Sequence, residues 1–216
     1  MIGLACASAV PAQAQVSGSA ESPVILTETL PKAVLRHSYE QKLESKGGVQ
    51  PLSWAISTGQ LPPGVTLPSD SGAIAGSPTA KGEFHFTVQV TDSAKPPRSH
   101  AREFVLRVVP PLQIEWKTQP STDAQGIAGA VEVTNHTGDD FDLTFIAVAV
   151  NQIGKAFVLG YEHFSLTAGT EQRQISFGSN LSRGQYIVHA DAVAEIPDKL
   201  IIYRSRLQTS AALPMQ

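Results

Sequence analysis

Three acidic residues, Asp139, Asp140 and Asp142, crowd one stretch directly after Asn135-His136-Thr137-Gly138. Carboxylates this close could share a hard cation such as calcium, which needs six or more oxygen ligands. The commoner role of such a run is a solvated hairpin tip whose charges discourage edge-to-edge pairing. A second constellation is His189, Asp191 and Glu195. Strand alternation puts His189 and Asp191 on one face, where His163 of a neighbouring strand could complete a metal or acid–base cluster. The plainer expectation is a hydrogen-bonded polar face, with Arg204 and Arg206 pairing across to Asp191 or Glu195.

No stronger chemical signature accompanies these groups. G-x-S-x-G, H-E-x-x-H, a Walker loop and G-x-G-x-x-G are all missing. The six histidines, at 37, 85, 100, 136, 163 and 189, stand at no metal-ligand spacing from one another. The sequence therefore assigns no catalytic, cofactor-binding or metal residue, and predicts a protein that is not an enzyme. Asn135-His136-Thr137 and Asn180-Leu181-Ser182 match the N-glycosylation pattern.

The elements that must carry these residues are strands. The chain has 216 residues, enough for two domains of about 100. Hydrophobic residues make up 42%, which supports a packed core, while charged residues make up only 16%. Net charge is −3 with no Lys/Arg cluster, so neither a nucleic-acid groove nor an anionic-membrane patch is expected. No window repeats apolar residues at i, i+3, i+4 and i+7 over three turns, and no run approaches the ~18 apolar residues of a membrane span.

The first residues read as export machinery. Ile2 to Val10 is short, small and apolar, and Ala12-Gln13-Ala14 is an A-x-A cleavage signature, although no Lys or Arg precedes Lys32. Residues 1–14 are expected to be a signal peptide, truncated in that it lacks the usual cationic start, and 15–22 a flexible leader. Cys6 lies inside this segment, so the mature chain would have no cysteine. Lipid anchoring at Cys6 is disfavoured, because Gly3 stands where a lipobox wants Leu or a similar residue. The expected location is secreted, periplasmic or cell-surface.

Period-2 segments fill the remainder. Phe84, Phe86, Val88 and Val90 alternate with Glu83, His85, Thr87 and Gln89, and Phe104, Leu106 and Val108 repeat the pattern. Pro110-Pro111 then interrupts it, since proline cannot donate to a ladder. This places a stiff hinge at 110–111 between domains at 23–109 and 112–208, with a tail at 209–216. Strands of the first domain are predicted over 24–27, 39–44, 52–57, 73–75, 82–91 and 101–109.

Turn chemistry in the first domain is dense. It contains Gly47-Gly48, then Pro51-Leu52-Ser53-Trp54-Ala55-Ile56, then Leu61-Pro62-Pro63-Gly64 with Leu67. Gly72-Ala73-Ile74-Ala75-Gly76-Ser77-Pro78-Thr79 and Gly82-Glu83-Phe84 follow. This succession resembles the "putative Ig" modules of bacterial surface and secreted proteins, relatives of dystroglycan-type cadherin-like domains. The resemblance implies a spacer or adhesive unit and makes N-glycosylation unlikely. It also implies a reading for Asp92, since cadherin-like relatives often place a calcium-ligating Asp near such a strand end. Asp92-Ser93 lacks further acidic ligands nearby, so an Asx-type turn is preferred there. Trp54 is expected in the core with Leu52 and Ile56, not as a sugar platform. Leu61-Pro62-Pro63-Gly64 is expected to be a rigid crossing between sheets, with Leu61, Val65 and Leu67 plugging the core beneath it.

The second domain offers seven period-2 segments: 112–117, 129–135, 141–150, 155–163, 172–177, 185–195 and 199–208. That count suits an immunoglobulin or fibronectin type III sandwich. Leu181-Ser182-Arg183-Gly184-Gln185-Tyr186-Ile187-Val188-His189-Ala190 resembles the entry into strand F of fibronectin-type domains. There Tyr186 would form a tyrosine corner and Val188 would fill a core position. The fold class expected is therefore all-β, two tandem immunoglobulin-like sandwiches. The expected function is an exported, non-catalytic module for structure, adhesion or partner binding, with an unidentified protein or glycan partner. The alternatives are a calcium-dependent cadherin-like adhesion module, with calcium at Asp92 or at Asp139, Asp140 and Asp142, and a carbohydrate-binding accessory module.

Overall fold

The computed structural model describes residues 21–123 and 126–215. The expected signal peptide, and Cys6 within it, lie outside the described residues. Regular structure is almost wholly β, the one helical turn being a 3-10 turn at Pro197–Lys199. The chain folds as tandem immunoglobulin-like sandwiches, as the alternation of its sequence predicts.

The first sandwich is built from β1 (Val24–Ile25), β2 (Ala33–Val34), β3 (Tyr39–Lys42), β4 (Ser45–Lys46), β5 (Ser53–Gly59), β6 (Val65–Thr66), β7 (Ala73–Gly76), β8 (Gly82–Thr91) and β9 (Ser99–Val109). One sheet runs β2-β9-β8-β5 and faces β3-β7-β6, with β1 and β4 paired at the side. Every apolar residue named on β8 and β9 points inward: Phe86, Val88, Val90, Phe104, Leu106 and Val108 are buried, and Phe84 packs against them. Outer positions of β8 are polar, those of β9 mix Glu103 and Arg107 with exposed Val105, and the register brings Arg107 onto Glu83, with Nε 2.9 Å from Oε1.

Trp54 is buried in this core, while Leu52 and Ile56 pack at its margin. Gly72 explains how so large a ring is seated. Its φ of +64° bends the chain, and a Cβ there would stand 2.7 Å from Trp54 Cε2. The Leu61-Pro62-Pro63-Gly64 stretch carries the chain from β5 in one sheet to β6 in the other. Val65 is buried under it, with Leu61 and Leu67 against the core. The strands β2, β4 and β6 were not predicted, because two residues are too few to show a period.

The second sandwich comprises β10 (Leu112–Asp123), β11 (Gly126–Asn135), β12 (Phe141–Asn151), β13 (Ala156–Leu166), β14 (Arg173–Ser179), β15 (Gly184–Ile196), β16 (Ile201–Gln208) and β17 (Leu213–Met215). A sheet β10-β11-β14 packs on β13-β12-β15-β16. All seven predicted strands form, but two differences stand out. β10 runs on to Asp123, through register shifts between Trp116 and Thr118 and between Thr118 and Ser121. The stretch 209–216, read as a tail, instead supplies β17, which pairs with the start of β15. A three-residue strand interrupted by Pro214 has no periodic signature, and it forms because Leu213 and Met215 reach the core.

Phe141, Leu143, Phe145, Ala147 and Ala149 of β12 are fully buried, whereas Ile146, Val148 and Val150 on its other face are only half-buried. Phe145 to Val150 reads in the sequence as apolar on both faces, as a strand packed on two sides would be, but only one face of β12 is core and the other is apolar surface. The bulge that leaves Leu159 between the pairs Ala147↔Gly160 and Val148↔Val158 sustains this surface. It puts Val158 and Tyr161 on the same outer face, at 59% and 61% exposure.

Candidate functional site

Asp92 ends β8 with its carboxylate out of contact with solvent. Its Oδ1 accepts from Arg98 N at 2.8 Å and from Ala94 N at 3.3 Å, the second closing an Asx turn. Its Oδ2 accepts from Arg98 Nε at 2.9 Å, Arg98 Nη2 at 2.6 Å and Val49 N at 3.2 Å. Burial alone would raise its pKa. The bonds from Arg98, backbone and guanidinium, and from Val49 and Ala94 outweigh burial and hold it at about 2. The carboxylate thus serves as a turn anchor, the Asx-type turn preferred from the sequence.

The crowded carboxylates of the second sandwich are parted by their strands. Asp139 receives Lys199 Nζ at 2.7 and 2.8 Å, and Asp140 Oδ1 receives Ala168 N at 2.7 Å. Asp142, the first to lie within β12, points across to His163 Nε2 at 3.1 Å. Three residues close in sequence are turned to three different partners by the start of a strand, whose alternation separates neighbours. Among the described residues, no three His, Cys, Asp or Glu side chains form a group suited to a metal ion.

Asn135 accounts for the shape of this loop. It is buried, its Nδ2 donates to Asp139 O at 2.8 Å, and its Oδ1 accepts from Thr137 N at 2.9 Å and Thr137 Oγ1 at 2.8 Å. The first glycosylation pattern is therefore a structural loop clamp with its amide fully engaged, whereas Asn180 of the second is exposed.

His189, Asp191 and Glu195 do not assemble with His163. The register sets His163 beside Thr144, four residues along β12 from Val148, the partner of His189. Asp191 meets both predicted arginines instead. Arg204 Nε lies 2.8 Å from Oδ1, and Arg206 Nη2 lies 2.8 Å from Oδ2. The hydrogen bond from Arg204, opposed by partial burial and aided by Arg206, lowers the carboxylate pKa. Tyr186 is fully buried with its hydroxyl donating to Ser182 O at 2.9 Å, the predicted tyrosine corner, and Val188 is wholly buried beside it.

Contacts between the sandwiches escaped sequence reasoning. Lys32 pairs with Glu171, and Tyr203 Oη lies 3.2 Å from His37 Nε2, with the two rings 6.1 Å apart. Tyr203 is fixed from behind by Phe141 at 5.5 Å between ring centroids. His136 N donates to Pro111 O at 2.9 Å, and Leu35 N to Val109 O at 2.9 Å, so both flanks of Pro110-Pro111 are held. A cleft of about 470 Å³ opens beside them, between Leu35 and Pro111 on one side and Ile201 and Tyr203 on the other. The signal available was Leu200-Ile201-Ile202, three consecutive aliphatics that fit no alternation.

The comparisons with known proteins bear on the fold. A search of curated proteins finds no match. Mouse cadherin-23 repeats EC22–24 are 16% identical, with 89% of this chain and 66% of that chain covered and a TM-score of 0.34. Dimeric latent PorU from Porphyromonas gingivalis is 15% identical, with 97% and 22% covered and a TM-score of 0.34. A putative alpha-galactosidase from Bacteroides fragilis is 22% identical, with 41% and 18% covered and a TM-score of 0.36. The chain thus spans only part of each of these proteins, and at such scores nothing of their activities carries over. The sequence itself is more informative: residues 8–109, which include the first sandwich, are matched by the family described as Putative Ig domain.

Proposed function

We propose that this chain is an exported, non-catalytic immunoglobulin-like module that binds a protein or glycan partner at the cell surface, in the periplasm or outside the cell. The division into domains at 23–109 and 112–208, joined at Pro110-Pro111, belongs to this proposal, as does removal of a signal peptide. No helix among the described residues is long and apolar enough to cross a membrane.

The observation that carries the reading is the outer face of the β13-β12-β15-β16 sheet. Val158 beside Val148, and Tyr161 beside Ile146, make two exposed apolar rows on a rigid support. Asp191, Arg204 and Arg206 border them. A continuous apolar patch with a polar rim on a soluble domain marks an interaction surface. Meanwhile the acidic groups best suited to chemistry, Asp92, Asp139 and Asp191, are each held by a cation in a structural pair.

Immobilised mature chain, offered extracellular proteins and a glycan array, should retain a partner that Val158→Asp and Tyr161→Ser variants lose. Clean negatives at high protein concentration would overturn partner binding and leave a spacer.

A further inference from the structure

The cleft between the sandwiches differs from the sheet face in having a defined shape and charge. Its walls are apolar: Leu35 and Pro111 from one side, Ile201 and Tyr203 from the other. Tyr203 cannot swing away, being held by His37 in front and Phe141 behind, and His37 Nδ1 lies 3.0 Å from Leu35 O. The volume, about 470 Å³, falls within the range of sites that accept one organic group.

Two cations stand at the rim, and their states differ. Lys199 is occupied by Asp139. Arg36 is exposed, and its guanidinium has no hydrogen-bond or ion-pair partner among the described residues. Its backbone, by contrast, is fixed: N donates to Pro78 O at 2.8 Å, with φ at +61°. Across the cleft, Leu200 has φ at +53° and leaves 93% of itself exposed, next to Ile201 of the cleft wall. Of the three non-glycine residues in the left-handed region among those described, these two flank one cleft. Leucine disfavours the left-handed region, where its Cβ crowds the following carbonyl oxygen, and such strain concentrates at sites of function. A glycine would satisfy the turn at Leu200 without that cost.

We propose that this cleft and the hairpin tip beside it bind an extended peptide segment of a partner protein, one that presents an aliphatic or aromatic side chain next to a carboxylate. The apolar side chain fills the cleft, the carboxylate meets Arg36, and the flanking peptide lies over Leu200. Two observations favour a peptide over a free small acid. Leu200, next to Ile201 of the cleft wall, leaves an aliphatic side chain 93% exposed, which a ligand confined to the cavity would leave wet. The uncommitted cation sits at the exposed rim, where a side chain from a passing segment reaches it. A basic peptide is disfavoured, because Asp139 is already neutralised by Lys199.

The test uses the full chain and labelled hexapeptides with a central Leu-Asp or Phe-Asp pair, against versions with Asn or Lys in place of Asp. Amide resonances of Arg36, His37 and Lys199 to Tyr203 should shift on titration into the millimolar range, where weak peptide contacts register. Replacing Asp by Asn should weaken binding about three-fold, the scale of one exposed ion pair. Arg36→Gln should abolish that difference. Leu200→Gly should weaken all apolar peptides several-fold while leaving the thermal midpoint unchanged or raised, which separates lost contact from lost folding. The proposal is overturned if no peptide moves these amides. It is equally overturned if binding ignores both the Asp and the Arg36→Gln and Leu200→Gly changes. Partner capture that survives both cleft variants but is lost in Tyr161→Ser would sink the cleft and leave the sheet-face reading standing.

Discussion

Arg98 closes on Asp92 with both its backbone and its guanidinium, at 2.8 Å to Oδ1 and at 2.9 and 2.6 Å to Oδ2. The loop between them is thereby tied to the end of β8, and through Val49 N to the segment entering β5. A carboxylate that the resemblance suggests for calcium gathers donors from two loops.

Because its folded pKa, about 2, lies below the ordinary carboxylate value of about 3.9, Asp92 adds stability that is complete above the higher value. That stability is lost as pH falls from about 4 through about 2. Asp92→Asn should lower the thermal midpoint by roughly 5 °C or more at neutral pH. It should also flatten the acid limb of stability against pH. A variant that melts like the parent at pH 7 would contradict the anchoring role. Adding calcium or a chelator should leave the parent's midpoint unmoved.

His136 gives a dependence in a different window. Burial, with help from Lys32 and against Glu171 and Glu115, lowers its pKa. Its Nε2 is 3.0 Å from Gln113 Oε1, and its buried Nδ1 has no hydrogen-bond partner among the described residues. The folded chain therefore keeps the ring neutral at a pH where the unfolded chain takes up a proton. Stability should decline as pH drops below the ordinary histidine value of about 6.5. Urea midpoints measured from about pH 8 to about pH 5 should show this slope, and His136→Gln should reduce it.

Tyr186 separates two contributions. Tyr186→Phe keeps the ring and deletes the bond to Ser182 O, which should cost about 1 kcal/mol. Tyr186→Ala also empties a fully buried ring site, and a loss of about 3–5 kcal/mol is expected. Equal losses in chemical denaturation would show that the hydroxyl, not the ring, dominates.

Glycines at 72 and 154 make a controlled pair. Both have positive φ, but a Cβ at Gly72 meets the Trp54 ring at 2.7 Å whereas one at Gly154 meets nothing. Gly154→Ala should cost only the backbone term of about 1 kcal/mol. Gly72→Ala should cost clearly more and shift tryptophan fluorescence, since the ring must move. Similar losses in the two variants would mean that Trp54 yields freely.

What the sequence determined by itself is what depends on neighbours along the chain. Alternation in β8, β9, β12 and β15 revealed strands and their inward faces, because a strand turns successive side chains to opposite sides wherever it lies. The resemblance of Leu181–Ala190 to the entry into strand F of fibronectin-type domains likewise implied the tyrosine corner, whose bond spans only four residues. Tertiary structure decided everything that depends on register and on which strands adjoin. It scattered Asp139, Asp140 and Asp142 to three partners and kept His163 from His189. It also left one face of β12 uncovered, although Phe145 to Val150 reads as apolar throughout. Lys32 meets Glu171 across 139 residues, and His37 meets Tyr203 across 166. No periodicity reaches that far, because such contacts follow from how two finished sandwiches pack, not from any local preference of the chain.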